Sequence, residues 1–301
     1  MPHRFETFDV FTDTSMAGNP LAVVYEADDL DTEAMQAIAA EFNLSETVFI
    51  TEPRGRDADW GVRIFTPKEE LPFAGHPTVG SAIALALKAG GEPGTRKRYV
   101  LEETVGDITA DARINSPTHG SARFFLPRLP ERVADIPSPD RLSEAFGIEP
   151  DCFLNTPLDM GVWSAGVPIG IVPVRYAEDL ARIQLNMPAF EAVFGGDTPI
   201  QAYLVAKASS MEHTNDWRVR MFAPHLGILE DPATGGAAAA FMGLLAEQGG
   251  FGDGETALSV YQGIEMGRPS LLRLVLKLEN GQLTDAMIGG DAVMISRGEL
   301  L

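Results

Sequence analysis

A single cysteine, Cys152, stands among 301 residues, so no intrachain disulfide framework and no cysteine-rich metal site can form, and a reducing compartment fits. Basic residues are scarce as well: 23 Lys and Arg face 43 Asp and Glu, a net charge of -20. A polyanion of this kind is repelled by phosphate backbones and anionic lipid, which argues against nucleic acid and membrane surfaces as partners. Long apolar runs are missing. The longest small-apolar stretch, 235–246, falls well short of the roughly 20 residues a membrane helix needs. The start, MPHRFETFDVF, carries no basic segment followed by an apolar one, so no signal peptide is expected and the chain reads as cytoplasmic. The five histidines, His3, His76, His119, His213 and His225, show no ligand spacing, and no metal is expected. A Gly-x-Ser-x-Gly elbow and a Walker lysine loop are both lacking. The glycine-rich stretch 249–254 follows a helix rather than a strand and reads as a linker turn.

What is present is an average globular mixture, 45% hydrophobic and 22% charged, in a chain long enough for two domains or one large one. Compared with itself, the sequence repeats once. Asp59-Trp60-Gly61-Val62-Arg63-Ile64-Phe65-Thr66-Pro67 lies on Asp216-Trp217-Arg218-Val219-Arg220-Met221-Phe222-Ala223-Pro224, with Asp, Trp, Val, Arg, Phe and Pro identical. Each copy leads through a turn with Gly and Pro into a helix of small residues, the first from Gly75-His76-Pro77-Thr78, the second from Asp231-Pro232-Ala233-Thr234-Gly235. Two of the three tryptophans fall in register, which favours an internal duplication over chance likeness. Pro, Ser, His and Gly collect near 116–132, so the lobes are expected at 1–118 and 119–287.

Runs with β-branched or alternating character predict strands at 21–25, 47–50, 62–65, 121–126, 169–174, 202–206, 218–222 and 271–278. Helical spacing of Met35, Ile38, Ala39 and Phe42 predicts a helix from an Asp31/Thr32 cap to Asn43. Two further helices, 78–88 and 234–248, are apolar nearly all round and must be buried. Strands outnumber helices and do not alternate with them. The expected class is α+β: two pseudo-symmetric domains, each a mainly antiparallel, barrel-like sheet around one central helix.

The starts of the two buried helices are candidate anion sites, because unsatisfied N–H groups and the helix dipole favour a carboxylate there. Gly75, Gly80, Gly235 and Gly236 leave room for a ligand to reach backbone, while Thr78 and Thr234 can cap. In a duplicated protein both starts are expected to face the domain junction. In the strand from Leu44, the alternation places Glu46 with Leu44, Val48 and Ile50 on one face, or else turns Ser45, Thr47 and Phe49 inward and leaves Glu46 solvated. Buried, Glu46 would be poised to take and give a proton near neutrality. His76 and Asp231 each precede a proline at the mouth of a helix and read as equivalent positions. With Glu46 they form a candidate proton-handling set that needs no metal.

These residues carry a resemblance that runs through nearly the whole chain. Asp9-Val10-Phe11-Thr12, Gly18-Asn19-Pro20-Leu21-Ala22-Val23, Leu44-Ser45-Glu46-Thr47-Val48-Phe49, Phe65-Thr66-Pro67, Phe73-Ala74-Gly75-His76-Pro77-Thr78, Asp231-Pro232-Ala233-Thr234-Gly235, Gln262-Gly263 and Gly267-Arg268-Pro269-Ser270 resemble the PhzF family of phenazine-biosynthesis-like isomerases, related to diaminopimelate epimerase. The resemblance implies that fold, with the active site between the halves and a last strand, 288–301, crossing back to the first lobe. It implies that Glu46 shuttles a proton, that His76 and Asp231 assist, and that Asn19, Ser45, Gly75, Thr78, Thr234, Gly235 and Gly236 bind substrate. No cofactor is implied. The second turn departs from the family's usual Gly-Ser by reading Gly235-Gly236, and the epimerases' paired catalytic cysteines are absent. The function implied is a cofactor-independent isomerase that moves a proton on a small carboxylate-bearing substrate, similar to trans-2,3-dihydro-3-hydroxyanthranilate isomerase. A two-base amino-acid epimerase or racemase, and a non-catalytic binding protein of the same fold, stand as alternatives, and a homodimer stays open.

Overall fold

The computed structural model describes residues 2–136, 139–154, 156, 158–208 and 215–301; His213 lies outside the described residues. The chain divides into two compact units, Met1–Pro127 with Met287–Leu301, and Arg128–Ala286.

The first unit runs β1 (His3–Val10), β2 (Asn19–Val24), α1 (Thr32–Phe42), β3 (Glu46–Thr51), β4 (Trp60–Phe65), the short β5 (Glu70–Leu71), α2 (Gly75–Ala89), β6 (Arg96–Glu103), β7 (Gly106–Ser116) and β8 (His119–Phe125). The pairings β1–β2, β2–β3, β3–β4, β4–β6, β6–β7 and β7–β8 are closed by the long last strand of the chain, Gln282–Leu300, which pairs with β8 through 287–293 and with β1 through 292–300. An eight-stranded barrel results, with no unpaired edge to protect. Within it, α2 packs on β1, β2, β3, β6, β7 and β8. Its residues from Gly75 to Ala86 are all buried, as an all-round apolar helix requires.

The second unit continues with β9 (Glu131–Ala134), α3 (Pro139–Phe146), β10 (Gly161–Ser164), β11 (Pro168–Pro173), α4 (Ala177–Arg182), α5 (Met187–Phe194), β12 (Gln201–Lys207), β13 (Asp216–Ala223), β14 (Ile228–Asp231), α6 (Gly235–Gln248), β15 (Gly254–Gln262) and β16 (Ser270–Glu279), ahead of the last strand, β17. Its strands lie in the order β9–β10–β11–β12–β13–β15–β16, with β14 hydrogen-bonded to β13. The helix α6 packs on β9, β10, β11 and β16.

The repeat read from the sequence is also a repeat of topology. In the first unit β2–β3 and β4–β6 are parallel and β1–β2, β3–β4 and β6–β7 antiparallel. In the second, β11–β12 and β13–β15 are parallel and β10–β11, β12–β13 and β15–β16 antiparallel. Each parallel pair is joined through helix, as a parallel connection requires. The repeat extends to an ion pair. Arg63 holds Glu70 through Nε and Nη2 at 2.8 and 2.7 Å, and its counterpart Arg220 holds Glu230 the same way, at 2.8 Å twice. Both arginines stack on the phenylalanine two residues on, Phe65 and Phe222.

Local signals explain the boundaries. The Asp31 carboxylate accepts from the Ala34 N–H and Asn43 takes a left-handed conformation at φ 50°, so α1 begins and ends at the residues with the matching preference. The expected lobe cut at 118/119 falls within the β7–β8 hairpin, where Ser116 pairs with His119. A glycine whose role differs from expectation is Gly80. A Cβ there would stand 2.4 Å from Leu21 Cδ2 and 3.0 Å from Val10 Cγ2, so Gly80 lets α2 approach β1 and β2 rather than making room for a ligand. In α6, Gly243 similarly admits the Trp163 ring, 2.6 Å from where a Cβ would be.

Candidate active site

Glu46 opens β3, beside Leu21 of the parallel β2. The strand offers no solvent face: Thr47, Val48, Phe49 and Ile50 are all buried. Phe49 meets Phe65 edge-on at 5.4 Å in the cluster under α1. The alternation could not decide which way Glu46 points, because both sides of β3 are covered.

His76 is the second residue of α2, and its Nε2 lies 2.9 Å from Glu46 Oε2. The side chains are 5% and 12% exposed respectively. Neither atom makes an aligned hydrogen bond among the described residues. A charged or polar pair this dry ordinarily satisfies its lone pairs and protons, since an unmet buried group costs about 1–3 kcal/mol. The pair is therefore close enough to exchange a proton and still has capacity for another partner.

The other candidates of this unit surround the same elements. Asn19, fully buried, begins β2 opposite Val10. Ser45 is half-buried in the turn between α1 and β3, and Gly75 is buried at the first position of α2. Thr78 does not cap its helix. The helix starts earlier, with Ala74 as N-cap and no side-chain cap bond, and the Thr78 hydroxyl instead lies 2.7 Å from both Ala74 O and Glu103 Oε1.

In the second unit Asp231 is half-buried at the end of β14, opposite Met221. Thr234 holds the N-cap position of α6, yet its hydroxyl makes no capping bond and donates to Asp231 Oδ2. Gln262 ties the turn together: its Nε2 donates to Asp231 O at 2.8 Å and to Thr234 Oγ1 at 2.9 Å, while Oε1 accepts from Thr234 N–H at 3.2 Å. Gly263 follows at φ +72°, where a Cβ would stand 2.7 Å from Pro232 O, so the close approach needs glycine. Gly235 is buried, and a Cβ at Gly236 would meet nothing within 4 Å.

The matched reading of His76 and Asp231 needs correction. His76 sits inside the first helical turn, whereas Asp231 sits on the strand before its helix. Met221 faces Asp231 as Ile64 faces Leu71, so the true counterpart of Asp231 is Leu71. The shared X-Pro pair misled because the second loop is longer by the turn Pro224–Leu226.

Two buried polar residues had no role in the sequence reading. Gln262 appeared only within a motif, and Glu103 not at all, being one acid among many on a charged strand. Glu103 is buried and its acidity is pushed down by that burial, its pKa raised to about 8, against the opposing effect of a hydroxyl donated by Thr78. Among the described residues no cluster of three or more His, Cys, Asp or Glu could hold a metal ion, and no helix is long and apolar enough to cross a membrane.

Comparison with known proteins agrees with this architecture. The family model described as phenazine biosynthesis-like protein matches residues 8–298. An uncharacterised isomerase of Mesorhizobium japonicum is 43% identical over 97% of both chains, and the trans-2,3-dihydro-3-hydroxyanthranilate isomerase of Pseudomonas chlororaphis 33% identical over 99% of both. Among solved structures, a PhzF-family phenazine biosynthesis protein of Bacillus anthracis superposes with a TM-score of 0.87 at 25% identity, covering 100% of this chain and 99% of its own. A hydroxyproline epimerase of Agrobacterium vitis, TM-score 0.62 at 13% identity over 99% of this chain and 91% of its own, shares the fold.

Proposed function

Because the chain belongs to the phenazine biosynthesis-like (PhzF) family and is an isomerase, we propose that it moves a proton between carbons of a small carboxylate-bearing substrate, with Glu46 as the base and then the acid. The observation that carries this reading is the Glu46–His76 contact, 2.9 Å long and nearly dry, with aligned hydrogen bonds still to be made. As carboxylate, Glu46 takes the proton from a carbon, and the C–H electron pair becomes a new C=C as the original double bond shifts. As acid, it returns the proton to the far carbon. His76, beside it, polarises the substrate or steadies the charge on Glu46 between the two steps. One group serving both steps suits a shift along one face of a substrate.

The substrate carboxylate is assigned to the first turn of α2, where Gly75 contributes backbone N–H and the helix dipole favours an anion. Asn19, Ser45 and Thr78 are assigned to positioning. Asp231 is assigned an assisting part, with Thr234, Gly235 and Gly236 at the start of α6 as further binding groups. No cofactor enters the scheme. A small acid is the expected partner, and nucleic acid is not; the site of action is assigned to the cytoplasm.

The test begins with trans-2,3-dihydro-3-hydroxyanthranilate, the acid named for the relatives, and a panel of small cyclic and amino acids, followed by NMR in deuterated water. A migrated double bond supports the proposal. Inversion at a stereocentre with solvent deuterium would favour a two-base epimerase. Binding without any exchange would favour a non-catalytic protein.

A further inference from the structure

The duplication pairs Glu103 with Gln262. In the first unit, parallel register sets Trp60 against Leu101 and Gly61 against Glu102. In the second, it sets Trp217 against Val260 and Arg218 against Tyr261. The tryptophans are in register in the sequence repeat, so the next residues along, Glu103 and Gln262, occupy the same place at the end of corresponding strands. Both are buried, Gln262 completely and Glu103 with 5% of its surface exposed. Each reaches a threonine at the first turn of its unit's central helix, Glu103 reaching Thr78, the fourth residue of α2, and Gln262 reaching Thr234, the N-cap of α6.

The hydrogen count at each threonine then differs in what it demands. In the second unit the supply is clear: the Gln262 amide donates to Thr234 Oγ1, and the Thr234 hydroxyl passes its own proton to Asp231. In the first unit, Thr78 Oγ1 has one proton and two oxygen neighbours at 2.7 Å, Ala74 O and Glu103 Oε1. The Ala74 carbonyl can only accept. If the hydroxyl serves it, the contact with Glu103 needs a proton from the carboxyl side. Glu103 Oε2 has no hydrogen bond among the described residues, so an ionised Glu103 would be a buried anion with one hydroxyl for company, an arrangement proteins avoid.

We propose that Glu103 is a positioning residue that works as a neutral acid: its O–H donates to Thr78, as the Gln262 amide donates to Thr234, and so fixes the turn of α2 that carries His76. Loss of that proton releases the turn. The protonation itself stands on the register and the hydrogen count; only its bearing on His76 as a proton-transfer group rests on the function proposed above.

Other ionisable groups on the surrounding elements are His76 and Lys88 on α2, Arg63 on β4, Glu70 on β5, Arg96, Lys97, Arg98, Tyr99 and Glu102 on β6, and Asp107, Asp111 and Arg113 on β7. Arg63 and Glu70 neutralise each other, and Glu102 takes the Gly55 N–H. None is among the causes that move Glu103: burial raises its pKa to about 8, and only a Thr78 hydroxyl turned to donate to the ionised form would oppose the rise. Since the folded value lies above the unfolded one of about 4.3, the contribution to stability is whole below about 4.3 and is lost as pH rises toward 8.

Infrared difference spectra of wild type against Glu103→Gln test this directly. A protonated-carboxyl C=O band is expected at pH 7, gone from the variant and titrating away in wild type near pH 8. In the same window, hydrogen-exchange protection of the Thr78 amide, bonded to Ala74 O at 3.2 Å, should fall in wild type and hold in Glu103→Gln, which can donate as Gln262 does. Absence of the band at pH 7, or equal loss of protection in both proteins, would overturn the proposal. Should the variant not fold, the wild type alone decides by carbon-13 NMR. A carboxyl carbon titrating near pH 8 sustains the proposal, and none doing so ends it.

Discussion

His76 Nε2 stands 2.9 Å from Glu46 Oε2, and the two side chains arrive there from unlike backbone, one from the first turn of a buried helix and one from the first residue of a strand. Both anchors are rigid, since α2 is enclosed by barrel strands and β3 is covered on both faces. A base held this way needs little reorganisation when it acts.

Replacing His76 by Asn should keep the fold and lower turnover by about 10²-fold or more, within the range assigned to a single acid–base or polarising group. Steady-state kinetics on whichever acid of the panel is turned over will read this. A variant with wild-type turnover would remove His76 from the reaction.

Gly80 and Gly236 should part company when each is changed to Ala. At Gly80 the added methyl collides with Leu21 and Val10, and overpacking of that kind costs about 1–3 kcal/mol. At Gly236 it meets open space in a helix, so the gain in helix propensity should stabilise by about 0.5–1 kcal/mol. If Gly236 contributes to binding, that more stable variant should nevertheless bind the substrate acid more weakly. Chemical denaturation and a ligand titration give the two readings.

The two copies of the Arg–Glu pair should also differ in weight. Arg220 is 9% exposed and additionally donates to the carbonyls of Leu180 and Ile183, at 2.8 and 3.3 Å, whereas Arg63 is 20% exposed. Arg220→Ala strands the half-buried Glu230 carboxylate and two carbonyls, at a cost of up to about 3–5 kcal/mol. Arg63→Ala should cost clearly less in the same denaturation experiment. Equal losses would show that burial does not govern the pair.

The five tyrosines should fall into classes on alkaline titration. Burial holds the Tyr25 phenol well above its usual range, with the nearby Glu6 carboxylate, which accepts its proton at 2.6 Å, adding to the effect; burial and then Asp231 do the same for Tyr203. Both folded values exceed the unfolded value of about 10, so the stability these phenols contribute is complete below about pH 10 and is lost above it. Tyrosinate absorbance should therefore show these two ionising only with unfolding, and early ionisation of either would contradict the burial.

Much of the architecture was legible because it is written twice. The Asp59–Pro67 and Asp216–Pro224 segments became β4 and β13 with the surrounding order of parallel and antiparallel pairs repeated, and the apolar composition of α2 and α6 foretold their burial. Asp31 and Asn43 marked the ends of α1 correctly. The long strands β6, β7 and β15 escaped notice because their apolar residues are small or spaced among charges, whereas the last strand, β17, was expected from the resemblance at 288–301 and begins earlier, at Gln282. β7, for instance, buries Ile108, Ala110, Ala112 and Ile114 between polar neighbours. The helices α3, α4 and α5 are each one or two turns long, too short for periodicity to declare them. At the site, Glu46 and His76 were legible as candidates but not as a contact, which only the closure of the barrel produces. Thr78 as a cap, Gly80 as ligand room and Asp231 as the match of His76 all failed for one reason: a motif fixes residue order, while packing and loop length fix what each residue faces.

The most direct measurement is solvent deuterium incorporation and product formation by wild type and Glu46→Gln on the same acid, after confirming that both are folded. The amide keeps the shape of the side chain and removes its basicity. Wild type should form the shifted isomer, and Glu46→Gln should form it slower by about 10²–10⁴-fold. Isomer formation by Glu46→Gln at the wild-type rate would contradict the account.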